Sequence, residues 1–181
     1  MTVPQPAASA LVHEAARRGL TVATAESLTG GALAAAVVGV AGASACFEGA
    51  VVSYSNRVKT EVLGVPARLL AERGSVDPDV AIAMAEGARR RLGTDWAVAT
   101  TGVAGPEPHD GKPVGTVYLG VAGPEGSVAH ELRATGGRAA IRSAAVRAAL
   151  ERLTAAIALP VNSQGKTPPP REEWNRQRGY Q

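Results

Sequence analysis

The chain has very few aromatic residues. Phenylalanine, tryptophan and tyrosine together make up 3% of its 181 residues. A core must therefore be assembled from Ala, Val and Leu, and no row of stacking platforms is available for single-stranded nucleic acid. Cysteine occurs once, at Cys46, which excludes an internal disulfide and suits a reducing cytoplasm. A long apolar run is also missing. Ala32 to Ala43 falls short of the ~20 residues a membrane span needs, and glycines interrupt it. The opening Met1-Thr2-Val3-Pro4-Gln5-Pro6 lacks a basic segment followed by an apolar one, so no signal peptide is expected.

Several chemical constellations are absent as well. No Cys/His cluster and no His-Glu-x-x-His occurs, so no metal site is expected. Thr29-Gly30-Gly31 lacks the Gly-Lys-Ser/Thr of a phosphate-binding loop, and no Gly-x-Gly-x-x-Gly follows a strand. The histidines His13, His109 and His130 fall in a helix, a loop and a hairpin strand, away from any orienting carboxylate at a strand end. A Ser-His-Asp triad is therefore not expected. The net charge of +3 is no nucleic-acid footprint either, because Lys166, Arg171, Arg176 and Arg178 against Glu172 and Glu173 place +2 of it after Pro160.

What is present is a 45% apolar fraction, enough for a full core. Ala7 to Arg18 has the spacing of a helix ended by Gly19, and Thr21 to Ala25 that of a short strand. Gly30 to Val38 reads as a buried helix and Phe47 to Tyr54 as a second strand. Short helices follow through Lys59 to Leu63 and from Ala67 to Glu72. Asp77-Pro78 is an N-cap with proline at the first helical position, opening a helix to Arg91. Trp96 to Thr101 is a buried strand, and Gly102 to Pro113 a Gly/Pro-rich loop. Thr116 to Ala122 and Val128 to Ala134 flank Gly123-Pro124-Glu125-Gly126 as a hairpin, and a last helix runs from Arg138 to about Ile157. The expected fold is a three-layer α/β/α sandwich with a mixed sheet over residues 1–159, with a flexible Pro-rich, charged tail over 160–181.

Polar residues gather where the strands end: Ser27 and Thr29, then Ser53, Tyr54, Ser55 and Asn56 with Lys59 one helical turn on, then Thr100 and Thr101. Ligands of open α/β sheets bind beyond the carboxyl ends of strands. If the three ends point the same way, Ser27, Lys59, Tyr54 and Thr101 line one pocket. A serine nucleophile needs a base, and without a usable histidine that base is lysine. Lysine can serve only if desolvation lowers its pKa from about 10.4 towards ~7–8. The alternatives are that Ser27 or Thr29 merely caps the next helix and that Lys59 is solvated and paired with Glu61 or Glu72. Gly102-Val103-Ala104-Gly105 would let backbone N–H groups approach an oxyanion. Arg138 and Arg142, one turn apart beside a positive helix end, suggest a bound phosphate.

Taken together, Thr24-Ala25-Glu26-Ser27-Leu28-Thr29-Gly30-Gly31, Tyr54-Ser55-Asn56-x-x-Lys59, Thr101-Gly102-Val103-Ala104-Gly105-Pro106 and Lys112-Pro113-Val114-Gly115-Thr116-Val117 resemble, in that order, the CinA C-terminal domain family of nicotinamide-nucleotide amidohydrolases. The resemblance covers Ala7 to Ala158. It implies deamidation of nicotinamide mononucleotide to nicotinate mononucleotide and ammonia, with no cofactor. It also implies Ser27 as nucleophile, Lys59 as its base and Tyr54 as a proton-handling neighbour. Thr29, Gly30, Thr101, Gly102 and Gly105 would surround the reacting carbonyl, and Arg138 and Arg142 would meet phosphate. The family's Gly-Asp-Arg segment reads Gly136-Gly137-Arg138 here. Larger members carry an N-terminal pyrophosphatase domain, for which this chain has no room. The expected partners are thus a nucleotide substrate and, given the Ala/Val surface, a second copy in a homodimer, with neither nucleic acid nor membrane. A nucleotide-binding protein without turnover is the rival reading.

Overall fold

The structure, a computed structural model, describes residues 6–159. The expected tail, with Trp174 and Tyr180, lies outside the described residues. The elements are α1 (Pro6–Arg18), β1 (Val22–Glu26), α2 (Ala32–Val38), a 3-10 turn (Ala43–Ala45), β2 (Phe47–Val52), α3 (Asn56–Glu61), α4 (Ala67–Arg73), α5 (Pro78–Leu92), β3 (Trp96–Gly102), β4 (Thr116–Gly123), β5 (Gly126–Arg133) and α6 (Arg138–Ala158). The strands form a sheet in the order β2-β1-β3-β4-β5. β1 runs parallel to both β2 and β3, whereas β3–β4 and β4–β5 are antiparallel. The three ends singled out from sequence therefore do point the same way.

Alternation along β1 explains the layering. Val22 faces a core shared with α1, α2 and α6, including Leu11, Leu33, Ile141 and Leu150, while Ala23 and Ala25 face one with Val80, Met84 and Ala88 of α5. The helices cover both faces, which makes an α/β sandwich with a mixed sheet, as the sequence reading expects.

Small residues set the spacing between layers. A Cβ on Gly87 would sit 2.1 Å from the Leu63 carbonyl oxygen, and one on Gly120 would sit 2.0 Å from that of Ala81. The α5 backbone thus packs directly on the middle of β4, a strand buried along its whole length. A core poor in aromatics fills its volume by bringing backbones together.

Boundaries differ from expectation in two informative places. α2 begins at Ala32, not Gly30, because Gly30 (φ 58) and Gly31 (φ 94) both take left-handed backbone. β2 ends at Val52, not Tyr54, because the carbonyls of Ser53 and Tyr54 turn towards Lys59 instead of a neighbouring strand.

A Gly120→Ala variant is expected to lose about 3 kcal/mol by overpacking, read as a lower Tm and urea midpoint. An unchanged Tm would mean that α5 can slide away from β4 without cost.

Candidate active site

The site begins with the turn between β1 and α2. The Ser27 N–H donates to the Thr100 carbonyl at 2.9 Å, continuing the β1–β3 ladder one step past the strand. The chain must then reverse through two left-handed glycines before α2 starts, which leaves the first N–H groups of that helix without helical partners. Glu26, fully buried at the end of β1, supplies them. Its carboxylate accepts from Gly31 N at 2.8 Å, Leu33 N at 3.1 Å and Ala34 N at 2.8 Å. The cap expected from Thr29 therefore belongs to Glu26. Thr29, also fully buried, shares a hydrogen bond of 2.8 Å with the Thr100 hydroxyl instead. A carboxylate has the acceptor capacity for several N–H groups at once, which one hydroxyl lacks.

From the other layer, the Arg142 side chain in α6 closes the turn. Its Nε donates to the Leu28 carbonyl at 2.9 Å and Nη2 to that of Thr29 at 2.7 Å. The phosphate contact expected of Arg142 does not fit this placement, because the guanidinium is engaged with backbone on the turn that presents Ser27. Arg138, one turn earlier, is exposed. Its Nη1 donates to the Gly105 carbonyl at 2.8 Å, and Nη2 lies 3.4 Å from the Tyr54 hydroxyl.

Lys59 enters from α3. Ser55 caps that helix by accepting from Val58 N at 3.3 Å, and one turn later Lys59 points inward with 1% of its surface exposed. It is not the solvated partner of Glu61 or Glu72, since those carboxylates pair with Arg57 and Arg68. Lys59 Nζ lies 2.9 Å from the Ser53 carbonyl, 3.4 Å from that of Tyr54 and 3.2 Å from Ser27 Oγ. Burial lowers its pKa from 10.5 to about 8, against a weaker opposing pull from the Asp110 charge. A neutral amine has two N–H donors and one lone pair. Two carbonyls can take the donors, and the lone pair is left for the serine hydroxyl.

Tyr54 meets Lys59 through its carbonyl. Its phenol is 65% exposed and contacts Arg138, not the Ser–Lys pair. Thr101 is buried and donates to the Ser75 carbonyl at 2.6 Å. Beside it, Gly102 ends β3 where a Cβ would lie 2.6 Å from the Thr116 carbonyl oxygen, so only glycine fits. The Thr100 carbonyl points to the β1 side, and alternation along a strand turns the Gly102 N–H to that same side, past the end of β1 and towards Ser27. Gly105 (φ 85) then bends the loop so that Ser27, Tyr54, Ser75, Thr101, Gly102 and Arg138 line a cleft of about 440 Å³. Lys59, expected among the lining, lies buried beneath Ser27 instead, and Thr29, Gly30 and Arg142 are not part of the lining either.

Sequence reasoning missed Glu26, Ser75, His109 and Asp110. His109, placed only in a loop by the sequence, is exposed and also lines the cleft. Asp110-Gly111 carried a legible signal, since Asp-Gly marks a tight two-residue turn. Glu26 carried none, because nothing in the chain says that a strand's last carboxylate will fold back onto the following helix. Among the described residues no group of three or more His, Cys, Asp or Glu could hold a metal, and no helix is long and apolar enough to cross a membrane.

The class this defines is an α/β/α domain with a buried lysine against a serine at the carboxyl edge of its parallel strands. The chain belongs to the CinA C-terminal domain family, whose profile matches residues 4–157. It is 48% identical over 151 residues to a CinA-like protein of Frankia casuarinae, covering 83% of this chain and 35% of that one. To a putative competence-damage inducible protein of Desulforamulus reducens it is 51% identical over 133 residues, covering 74% and 32%. The chain thus spans about a third of the length of these relatives. Among solved structures it resembles a competence-damaged protein (CinA) superfamily protein of Klebsiella pneumoniae, with a TM-score of 0.83 and 34% identity over 87% of this chain and 99% of that one. A competence/damage inducible protein of Agrobacterium tumefaciens gives a TM-score of 0.79 and 39% identity over 88% and 100%.

The buried lysine has a consequence for stability that does not depend on catalysis. Its folded pKa of about 8 lies below the 10.5 of a free lysine, so between those values the unfolded chain holds the extra proton. Stability from this group is then expected to rise with pH across that window, by up to about 1.4 kcal/mol per unit, and to stay flat below it. Lys59→Met should lack the rise. Urea denaturation of both proteins at pH 8 and pH 10 measures it, and parallel curves would refute a depressed lysine.

Proposed function

We propose that the protein is a nicotinamide-nucleotide amidase, hydrolysing the carboxamide of nicotinamide mononucleotide to nicotinate mononucleotide and ammonia. The observation that carries this reading is the buried Lys59 amine 3.2 Å from Ser27 Oγ, with backbone carbonyls beside its other two hydrogen-bonding positions. Family membership and the resemblance of the surrounding motifs supply the substrate class. The match covers only a third of the longer relatives, so the reaction is assigned to this domain alone.

In the proposed sequence, neutral Lys59 takes the Ser27 proton as Oγ attacks the carboxamide carbon. The oxygen of that group gains negative charge where the Gly102 N–H points, and a preorganised donor there is worth ~10²–10³ in rate. Protonated Lys59 gives its proton to the departing nitrogen, the C–N bond breaks, and ammonia leaves an acyl ester on Ser27. A water then gives a proton to Lys59 and attacks the ester carbon. Ser27 recovers a proton as the acid departs, and Lys59 is neutral again. Arg138, exposed beside Tyr54 at the cleft mouth, meets the phosphate. Arg142 and Glu26 fix the turn that aims Ser27, and so contribute to attack without touching the substrate.

Ammonia release from nicotinamide mononucleotide tests the reading. Ser27→Ala and Lys59→Met are each expected to lower kcat by ~10³ or more, and the double variant should be no slower than either single one, because the two act as a unit. Arg138→Ala should raise KM with kcat largely kept. Because the base must be neutral, kcat/KM should fall about tenfold per pH unit below the lysine's pKa of about 8. Equal rates in wild type and both single variants, or calorimetric binding of the nucleotide without turnover, would overturn the assignment.

A further inference from the structure

The loop between β3 and β4 forms one wall of the cleft, and its most structured part lies away from the Ser–Lys pair. His109 and Lys112 exchange two backbone hydrogen bonds, of 3.1 and 2.9 Å, around Asp110 (φ 50) and Gly111 (φ 68). Two successive left-handed residues make a type I′ turn, for which Asp-Gly is a favoured pair. The Asp110 side chain does not stay in the turn. Its Oδ2 accepts from Ser75 N, from Ser75 Oγ at 2.9 Å and from Val76 N at 3.3 Å. These partners sit in the link between α4 and α5.

Three further observations tie this contact to the site. A Cβ on Gly74 would come within 2.6 Å of the Asp110 carboxyl group, so the link approaches closely enough to require glycine there. The Ser75 carbonyl accepts from Thr101 Oγ1 at 2.6 Å, which carries the contact to the strand end next to Gly102. Ser75, Val76, His109 and Gly102 all line the cleft, whereas Asp110 stays behind the lining with 24% of its side chain exposed.

We propose that Asp110 is a positioning residue of this site: its carboxylate clasps the β3–β4 loop onto Ser75 and Val76, and through the Ser75 carbonyl fixes Thr101 and the neighbouring Gly102. The inference rests on the amidase reading for its kinetic part only. Hydrogen bonds to a charged acceptor are the stronger kind, and this acceptor gathers three. Burial pulls the carboxyl pKa up, but the bonds from Ser75 and Val76 and the neighbouring His109 outweigh it and hold the group below its ordinary value. It therefore remains an anion wherever the lysine titrates. Of the charged groups around the cleft, Asp110 is the one whose field raises the Lys59 pKa, while His109 Nε2 lies 3.5 Å from its other oxygen and Arg138 and Glu107 stand on the rim.

Two substitutions in the full chain separate the charge of Asp110 from its acceptor capacity. Asp110→Asn keeps a left-handed-tolerant turn residue and an acceptor oxygen but removes the charge. Asp110→Ala removes both. The first arm needs no turnover: Lys59 is titrated through its side-chain methylene NMR shifts, and amide exchange is followed at Ser75 and Val76. The expected result is that Lys59 titrates at lower pH in Asp110→Asn than in wild type, and that exchange at both amides rises roughly tenfold or more in Asp110→Ala. In the kinetic arm, the acid limb of kcat/KM should move to lower pH in Asp110→Asn, while Asp110→Ala should lower kcat roughly tenfold or more by loosening the Gly102 donor. Wild-type titration of Lys59 in the asparagine variant together with wild-type exchange in the alanine variant would overturn the proposal. If the alanine variant fails to fold, amide exchange at Ser75 and Val76 in the asparagine variant decides, with a wild-type rate overturning the proposal. If the wild type releases no ammonia, the amidase reading falls and the first arm still decides the role of Asp110.

Discussion

A lysine amine buried among backbone carbonyls is the constraint around which this structure is arranged. Solvating a charge there costs more than in water, so the group gives up proton affinity. The cost falls on folding, and the result is an amine that loses its proton near pH 8 instead of 10.5. β2 stops two residues early so that the carbonyls of Ser53 and Tyr54 can face Lys59, and α3 is capped so that its single inward side chain is that lysine. The buried side of α5 and the small strand residues Ala23 and Ala25 keep water from this face of the sheet.

The serine's turn is held by one group from its own strand and one from helix α6. It has carbonyls and N–H groups that no helix or strand pairs, and each set is met by one side chain. Glu26 takes the N–H groups and Arg142 takes the carbonyls. The turn is thus fixed by two side chains of opposite charge, each engaged with backbone. Buried polar backbone is satisfied without adding bulk near Ser27.

Much of the fold was legible in the sequence because its signals are local. The apolar run Trp96 to Thr101, the cap Asp77-Pro78 and the Gly123–Gly126 hairpin each declare themselves within a few residues. The pocket could be inferred from polar residues at strand ends, and parallel β1, β2 and β3 do bring Ser27, Lys59 and Thr101 to one edge. Side-chain destinations were less legible. Arg138 and Arg142 look alike in sequence, yet one faces the cleft mouth and the other backbone. Their difference depends on how α6 lies against the β1–α2 turn, which only tertiary packing decides. For the same reason Tyr54 looked like a neighbour of the base, whereas its phenol swings out to Arg138. Glu26 folded back on α2 because two left-handed glycines delayed the helix, a geometric effect with no compositional trace.

The change from parallel to antiparallel pairing at β3 has an architectural consequence. A wholly parallel sheet would follow β3 with a helix, and the wall beside Gly102 would then be part of the packed core. Here the chain turns back on the same edge, and the wall is a hairpin excursion pinched at both ends, where Gly102 and Gly115 pass too close to Thr116 and Ala134 for any side chain. Beyond those pinches the β3–β4 register is held by the strands' own ladder. The edge that presents Ser27 is therefore set by the sheet, while the wall facing it is an excursion tied back through Asp110 and Gly105.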